Sequence, residues 1–194
     1  MTTLNSLHDK TGDRKYLNPA ERAAFYEAAL RINDPNKRAF CLILFHTGCR
    51  ISEALELRGK SIDESEGSLV FRTLKQRQKI RYRALPISND LMKIVISCRQ
   101  SETQRIWEFG RTTGYTTIKD CMKLAGLDGK KATPKGLRHG FAIACISKAI
   151  PLPTLQKWMG HARLETTAIY LDFIGDDERK LAQRVWAMTT SGKR

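Results

Sequence analysis

The sequence predicts a mainly α-helical domain that contains one small antiparallel β-sheet. Two observations carry this prediction: apolar residues recur at helical spacing through most of the chain, and only residues 61–85 alternate with the two-residue period of strands. The chain has 194 residues, of which 41% are hydrophobic and 28% are charged, so it can bury one full core. No repeat or linker divides it into two globular domains.

Capping residues and apolar periodicity together locate the helices. Asn18-Pro19 and Asp34-Pro35 each place a capping side chain directly before a proline at the first helical position. Gly48 breaks the second of these helices, and residues 1–17 are polar and are predicted to be flexible. The predicted helices lie at 19–31, 35–47, 50–58, 89–98, 115–125, 134–149, 153–160, 165–173 and 176–189.

The sheet is predicted from two short alternating runs, residues 67–73 and 80–85. The polar residues 76–79 between them indicate a β-hairpin, and a third strand is predicted near residues 61–62. Residues 110–114, with the sequence Gly-Arg-Thr-Thr-Gly, are predicted to form a mobile loop.

The chain is strongly basic. It has 34 Lys and Arg against 20 Asp and Glu, a net charge of +14, which favours a polyanionic partner. An anionic membrane would call for a long apolar run or a basic amphipathic helix, and neither is present, so nucleic acid is the favoured partner. The five cysteines include no C-x-x-C pair, and no secretory signal is apparent, so we expect buried free thiols, no metal site and a cytoplasmic, nucleoid-associated protein.

Two arginines, a histidine and a tyrosine stand at the ends of apolar helical segments. Arg50 follows Thr47-Gly-Cys and begins a helix, where backbone N–H groups and a guanidinium can share one phosphate. Arg138 lies close to the apolar face of its helix, so it needs either a partner or a path to water, and a bound phosphate would be such a partner. His161 projects from the loop after a glycine, and Tyr170 ends a short helical segment.

Four motifs in register resemble those of the tyrosine recombinase (phage integrase) family. They are Thr-Gly-Cys-Arg50-Ile-Ser-Glu-Ala-Leu, Leu-Arg138-His-Gly-Phe-Ala, Trp-Met-Gly-His161 and Thr-Thr-Ala-Ile-Tyr170. The resemblance extends from about residue 16 to 190. It implies a catalytic domain over 18–175 and a C-terminal helix and tail over 176–194, packed in cis or in trans. Without a separate N-terminal DNA-binding domain, the chain is most similar to short members such as fimbrial-switch DNA invertases.

The resemblance also implies roles for individual residues. Arg50, Arg138 and His161 would hold the scissile phosphate, and Tyr170 would attack it, giving a 3′-phosphotyrosyl link and a free 5′-hydroxyl. Lys135 stands where the family usually has a histidine, and Lys75 matches the hairpin lysine that protonates the leaving oxygen. No metal, ATP or other cofactor is implied.

Other residues are given weaker roles. Glu53 is predicted to brace the site, and His139 is predicted either to pack beside it or to support the residues that bind the phosphate, without chemistry of its own. If the hairpin turn is misplaced, Arg77 or Lys79 replaces Lys75 as the proton donor. The basic patch of the hairpin, predicted to contact DNA, consists of Arg72, Arg77, Lys79, Arg81 and Arg83.

The predicted function is site-specific recombination of double-stranded DNA, by integration, excision or inversion. The expected assembly is a homotetramer on DNA, with accessory DNA-bending or recombination proteins. Three alternatives stay open: a catalytically impaired relative that regulates by binding DNA, a relaxing topoisomerase-like enzyme, and a basic RNA-binding module.

Overall fold

The computed structural model describes residues 7–73 and 81–171. Its helices and strands follow the predicted order, and the mainly α fold with one small antiparallel sheet is confirmed. The helices are α1 (Pro19–Leu30), α2 (Pro35–Thr47), α3 (Ile51–Leu55), α4 (Asn89–Ser97), α5 (Arg111–Leu124), α6 (Pro134–Ser147), α7 (Leu152–Met159) and α8 (Glu165–Ala168). The strands are β1 (Ile62–Asp63), β2 (Ser68–Thr73) and β3 (Arg81–Pro86), in the order β1-β2-β3.

Helix α2 is the centre of the core. All six residues from Ala39 to Leu44 are buried, so this helix is apolar around its whole circumference. Such a helix must be covered on every side. It packs against α1, α3, α4, α5 and α6. The C-terminal end of α2 is therefore a fixed point from which the residues that follow, Gly48 to Arg50, are positioned.

The predicted capping signals operate as expected. The side chain of Asn18 accepts a hydrogen bond from the backbone N–H of Glu21 at 2.8 Å, and the carboxylate of Glu21 accepts one from the backbone N–H of Asn18 at 2.8 Å. Asp34 accepts from the N–H groups of Asn36 and Lys37. These bonds satisfy donors that a helix N-terminus leaves unpaired, so local sequence alone sets where α1 and α2 begin.

The segment before α1, predicted to be flexible over residues 1–17, is described from residue 7 onward, and its Leu7 and Leu17 are each 1% exposed while residues 10–13 are exposed. A second prediction, of a mobile loop over residues 110–114, is wrong. The predicted loop over 110–114 is the first turn of α5, which begins at Arg111. Gly114 lies inside that helix, and its lack of a side chain permits close packing, since a Cβ there would stand 3.1 Å from the Phe40 ring.

Helix boundaries differ from the predictions at two places near the site. Helix α3 ends at Leu55 and not at residue 58, and α8 ends at Ala168 and not at residue 173. The helix predicted over 176–189 lies outside the described residues. Among the helices that are described, none combines the length and the apolar character that a membrane span requires.

A second, smaller apolar cluster supports the C-terminal part of the described chain. Tyr170 belongs to it, together with residues of α6 and α7 and one residue of the N-terminal segment. Its buried members are Leu7, Phe141, Ala142, Cys145, Leu155, Met159 and Tyr170. Helix α6 contributes residues to this cluster and also packs against α2, so it connects the cluster to the main core.

Replacement of Gly48 by alanine should destabilise the domain more than the same change at Gly67. Both glycines have positive φ, +57° and +60°, but a Cβ at Gly48 would stand 2.3 Å from the Phe141 ring while one at Gly67 meets nothing within 4 Å. Gly67→Ala carries only the left-handed backbone cost of about 1–2 kcal/mol. Gly48→Ala adds an overpacking cost of about 1–3 kcal/mol. Urea unfolding of both variants measures the difference, and equal losses of stability would contradict the clash with Phe141.

Candidate active site

The end of α2 positions the first arginine of the site. Gly48 adopts the left-handed conformation that ends α2, and Arg50 then serves as the residue preceding the first turn of α3. The backbone N–H of Arg50 donates to Glu53 at 2.8 Å, and its guanidinium donates to the same carboxylate at 2.9 Å. The Arg50 side chain remains 37% exposed, so its free N–H groups can still meet a ligand.

Glu53 is a buried carboxylate that joins two arginines. Besides Arg50, it accepts hydrogen bonds from both terminal nitrogens of Arg83, at 3.2 and 2.8 Å. Burial alone would raise the pKa of Glu53, but the hydrogen bonds and charges of Arg83 and Arg50 outweigh it and lower the pKa below 4.5. Glu53 is therefore ionised at neutral pH, and the expectation that it braces the site agrees with these contacts.

The placement of Arg83 corrects one member of the predicted basic patch. Its side chain is only 6% exposed because β3 turns residue 83 toward the core side of the sheet. In addition to Glu53, it donates to the carbonyl of Trp158 and to Oγ1 of Thr73, each at 2.8 Å. Its guanidinium also lies over the Phe71 ring, 5.1 Å from the centroid. Arg83 is thus occupied by the protein itself and is not offered to solvent.

Arg138 differs from Arg83 because no carboxylate of the described residues pairs with it directly, although the charge of Glu53 acts on it without contact. It is 8% exposed, and it donates to the carbonyls of Gly48 at 2.6 Å and Met159 at 2.5 Å. Within residues 7–73 and 81–171 it forms no ion pair. Burial, together with the charge of Arg50, lowers the pKa of Arg138 to about 10. An anion bound beside it would supply the missing charge.

His161 is oriented from both sides of its ring. Gly160 ends α7 in the left-handed conformation, as its sequence position predicted. Nε2 of His161 lies 3.1 Å from Arg138, and Nδ1 lies 2.9 Å from Oγ1 of Thr167. Because a guanidinium can only donate, Nε2 accepts and the ring proton resides on Nδ1. Burial and the charges of Arg138 and Arg50 lower the pKa of His161 to about 3, so the ring is neutral at pH 7.

Tyr170 lies at the edge of the same site. It follows α8, is 1% exposed, and its hydroxyl is 2.8 Å from Nδ1 of His139. Burial raises the pKa of Tyr170 to about 12, although the charges of Arg138 and Arg50 act in the opposite direction. The phenol is therefore protonated at neutral pH, and cations lie close enough to stabilise its negative form.

The remaining predicted residues are exposed or lie outside the described chain. Lys135 is exposed in the first turn of α6, and its charge reaches His139. Arg72 and Arg81 are exposed on neighbouring strands. Lys75, Arg77 and Lys79 fall in the segment 74–80, outside the described residues. In the described ranges, no group of three or more His, Cys, Asp or Glu side chains could hold a metal ion.

The structure brings Arg50, Arg138, His161 and Tyr170 together from sequence positions 120 residues apart. Positive charge exceeds negative charge around these side chains, because the nearby carboxylate of Glu53 is already shared between Arg50 and Arg83. The lowered pKa values of Arg138 and His161 have burial as their first cause and neighbouring cations as the next. The arrangement is suited to an oxyanion, and the phenol hydroxyl of Tyr170 lies at its edge.

Comparison with known proteins identifies the class. The model of the phage integrase family matches residues 15–173, so the chain belongs to the phage integrase family and contains a tyrosine recombinase catalytic domain. It is 28% identical to a resolvase of Escherichia coli over 86% of this chain and 76% of that protein. It is 30% identical to the tyrosine recombinase XerD of Haemophilus ducreyi over 69% of this chain and 48% of XerD. Membership of this family supports a role in site-specific DNA recombination.

The fold agrees with this assignment. The structure of the XerH site-specific recombinase, bound to its difH substrate in a pre-cleavage complex, superimposes with a TM-score of 0.70 at 21% identity. The match covers 84% of this chain and 55% of that chain. The chain thus spans about half of the length of XerD and XerH and three quarters of the resolvase.

Sequence reasoning missed the contacts of two residues. Arg83 stands two residues before Leu85 on β3, and the strand period of two places both on the same side, so the burial of Leu85 would have predicted an inward Arg83. His139 was assigned either packing or a supporting role, and its partner was not identified because Tyr170 is 31 residues away and no local pattern joins them.

Replacement of Glu53 by glutamine should strongly destabilise the domain. The change leaves Arg83 buried without a counter-charge, and loss of one partner of a buried pair costs about 3–5 kcal/mol. The matched control is Arg99→Gln, which breaks the surface pairs with Glu64 and Glu102, a kind of pair worth about 0–1 kcal/mol each. Urea unfolding of both variants gives the comparison; similar losses would mean that Glu53 is not the central counter-charge.

The difference between wild type and Glu53→Gln should depend on pH. Because folding lowers the pKa of Glu53, its stabilisation is fully present above the unfolded pKa near 4.5 and is lost as pH falls through the folded pKa. The stability gap should therefore be constant from pH 7 to 5.5 and shrink below 4.5. A gap that is unchanged at pH 3.5 would contradict an ionised Glu53.

Proposed function

We propose that this chain is the catalytic domain of a site-specific DNA recombinase that cleaves and rejoins DNA through a 3′-phosphotyrosyl link on Tyr170. The observation that carries the proposal is the buried charge of Arg138, which has no ion-pair partner among the described residues and lies beside His161 and near Arg50. It also lies near Tyr170, where the two arginines oppose the burial that raises the pKa of the phenol. This combination fits a phosphodiester and a covalent intermediate. It requires neither a metal ion nor ATP.

The arginines would bind the non-bridging oxygens of the scissile phosphate. Arg50 has unused N–H groups at the surface, and Arg138 is buried with no ion-pair partner among the described residues. Charge on these oxygens rises as the phosphorus becomes five-coordinate, so donors held in place beforehand stabilise the transition state more than the ground state. Removal of one such donor costs about 10²–10³ in rate in comparable oxyanion sites.

His161 would act on the same phosphate after a change of protonation. In the free protein its Nε2 accepts from Arg138. A bound phosphate would bring a negative charge that offsets the two arginines and raises the pKa of His161, so that Nε2 acquires a proton to donate. Thr167 holds the ring through Nδ1 in both protonation states, since Nδ1 is a donor in each.

The chemical step conserves the number of phosphate ester bonds. The oxygen of Tyr170 bonds to phosphorus and the bond from phosphorus to the 5′-oxygen breaks. The phenol gives its proton to solvent water, and the leaving 5′-oxygen takes a proton that we assign to Lys75, by resemblance to the family. Because one ester replaces another, the reverse attack by a 5′-hydroxyl reseals the strand without an external energy source.

Double-stranded DNA is the proposed substrate. Arg72 is exposed on the outer face of the sheet, where it pairs with Tyr82, which is 66% exposed. Arg81 is exposed at the start of β3, and the chain carries a net charge of +14. The XerH recombinase of similar fold was crystallised with a DNA substrate, which supports the same partner here. We propose a homotetramer on DNA, because exchange between two duplexes requires four strand cleavages.

The decisive experiment is covalent trapping on nicked suicide duplexes tiled from the DNA that flanks the coding sequence. Wild type should form a protein–DNA adduct that survives denaturation, and Tyr170→Phe should bind the same duplexes and form none. Arg138→Gln should slow adduct formation by about 10²–10³-fold. EDTA should have no effect on the wild-type rate.

Two outcomes would contradict the proposal. An adduct that persists in Tyr170→Phe would place the nucleophile elsewhere, and strict dependence on magnesium would indicate a different nuclease chemistry. A third outcome, tight binding without any adduct, would favour a regulator that binds DNA without cutting it. The 1% exposure of Tyr170 is the observation that keeps this second candidate in view.

A further inference from the structure

We propose that His139 is the positioning residue for the nucleophile: its imidazole holds the hydroxyl oxygen of Tyr170 in the place from which that oxygen attacks. This inference rests on the proposed function and deepens it. It assigns a role to a histidine that the sequence analysis treated as a packing or supporting residue.

The contact is close and enclosed. Nδ1 of His139 lies 2.8 Å from the Tyr170 hydroxyl, the two ring centroids are 5.8 Å apart, and both side chains are buried, at 8% and 1% exposure. A buried hydrogen bond of this kind is not exchanged for bonds to water, so it can fix an oxygen within a narrow range of positions.

Helix α8 by itself holds Tyr170 weakly. It is a four-residue helix that ends at Ala168, and the backbone N–H of Tyr170 donates to the Thr167 carbonyl at 3.2 Å. Such a short helix does not define the direction of a side chain that follows it. The position of the phenol is set by the apolar cluster around its ring and by His139 at its hydroxyl end.

The chain position of His139 gives this contact its significance. His139 directly follows Arg138 on α6, so the group that would hold the phosphate and the group that holds the nucleophile are neighbours on one helix. The distance from phosphorus to the attacking oxygen is then governed by one rigid element. Attack requires the reacting atoms to lie about 3–3.5 Å apart, and a displacement of about 1 Å can cost 10²-fold in rate.

His139 is better suited to positioning than to proton removal. Burial and the charges of Lys135 and Arg138 lower its pKa to about 4, while the pKa of Tyr170 is raised to about 12. Transfer of the proton from the phenol to this imidazole before attack is therefore strongly unfavourable, whereas a neutral ring forms a hydrogen bond readily. Among the described residues, Nε2 of His139 is buried without a partner, which leaves Nδ1 as its one polar contact.

Two substitutions separate positioning from proton acceptance. The amide of asparagine in His139→Asn reaches the place of Nδ1 and can form the hydrogen bond, but it cannot take a proton. His139→Leu fills the space and forms no hydrogen bond. Cys145→Ala is the matched control, because it perturbs the same apolar cluster from the same helix and leaves His139 in place.

The measurement is the single-turnover rate of adduct formation on the nicked suicide duplexes, with DNA binding measured in parallel. His139→Leu should lower the rate by about 10–10²-fold with unchanged DNA affinity, as expected for a displaced nucleophile. His139→Asn should recover most of that loss. Cys145→Ala should lower the thermal midpoint without lowering the rate.

Two results would overturn the proposal. A wild-type rate in His139→Leu would show that the contact does not position Tyr170. An equal loss in His139→Asn and His139→Leu, in folded proteins that bind DNA, would show that the proton-accepting ability of the imidazole is what matters.

A thermal double-mutant cycle of His139→Leu and Tyr170→Phe tests the contact without DNA. The double variant should unfold about 2–4 °C above the temperature expected from simple addition, because both single changes break the same hydrogen bond. Additive shifts would overturn the contact itself. If the wild type forms no adduct while the cycle is non-additive, the failure belongs to the proposed function and not to the contact.

Discussion

The buried carboxylate of Glu53 is the interaction on which the site depends. It fixes Arg50 at the start of α3 and Arg83 on β3, and Arg83 in turn donates to the Trp158 carbonyl near the end of α7. The start of α3, strand β3 and the end of α7 are therefore linked through Glu53 and Arg83, although they are far apart in sequence. Since His161 follows α7 directly, its position relative to Arg50 is set through this same chain of bonds. A Cβ on Gly160 would stand 3.0 Å from the Arg83 guanidinium, so no larger residue fits at this junction without displacing it.

The contrast between Arg83 and Arg138 separates a structural cation from a binding one. Both are buried to a similar degree, but Arg83 has a full carboxylate as partner and Arg138 has two carbonyls and a neutral histidine. Carbonyl dipoles satisfy the N–H groups of Arg138 without cancelling its charge, and a buried uncompensated charge is costly. On the proposed function, part of the stability given up at this position would be recovered when the scissile phosphate binds beside Arg138.

Features that local sequence controls could be predicted, and those that depend on distant contacts could not. The starts of α1 and α2 follow from Asn18 and Asp34, since a cap and a proline act within one turn. Motif resemblance predicted the convergence of Arg50 and Arg138, although no periodicity does. Gly114 was assigned to a loop because the feature that requires a glycine there, the close approach of Phe40, comes from a residue 74 positions away in the sequence. The pairing of His139 with Tyr170 was missed for the same reason, because it exists only after α6 and α8 have packed together.

The burial of Tyr170 has a consequence for how the proposed reaction is kept specific. A phenol with a pKa near 12, held in an apolar cluster, is a poor nucleophile toward water-exposed electrophiles. The groups that lower its pKa are Arg138 and Arg50, and these are the same groups that would bind the scissile phosphate. A phosphate bound by these arginines would offset part of their charge, so it would not by itself lower the pKa of Tyr170. On the proposed function, DNA binding acts by bringing the electrophile to a phenol that is otherwise buried and protonated.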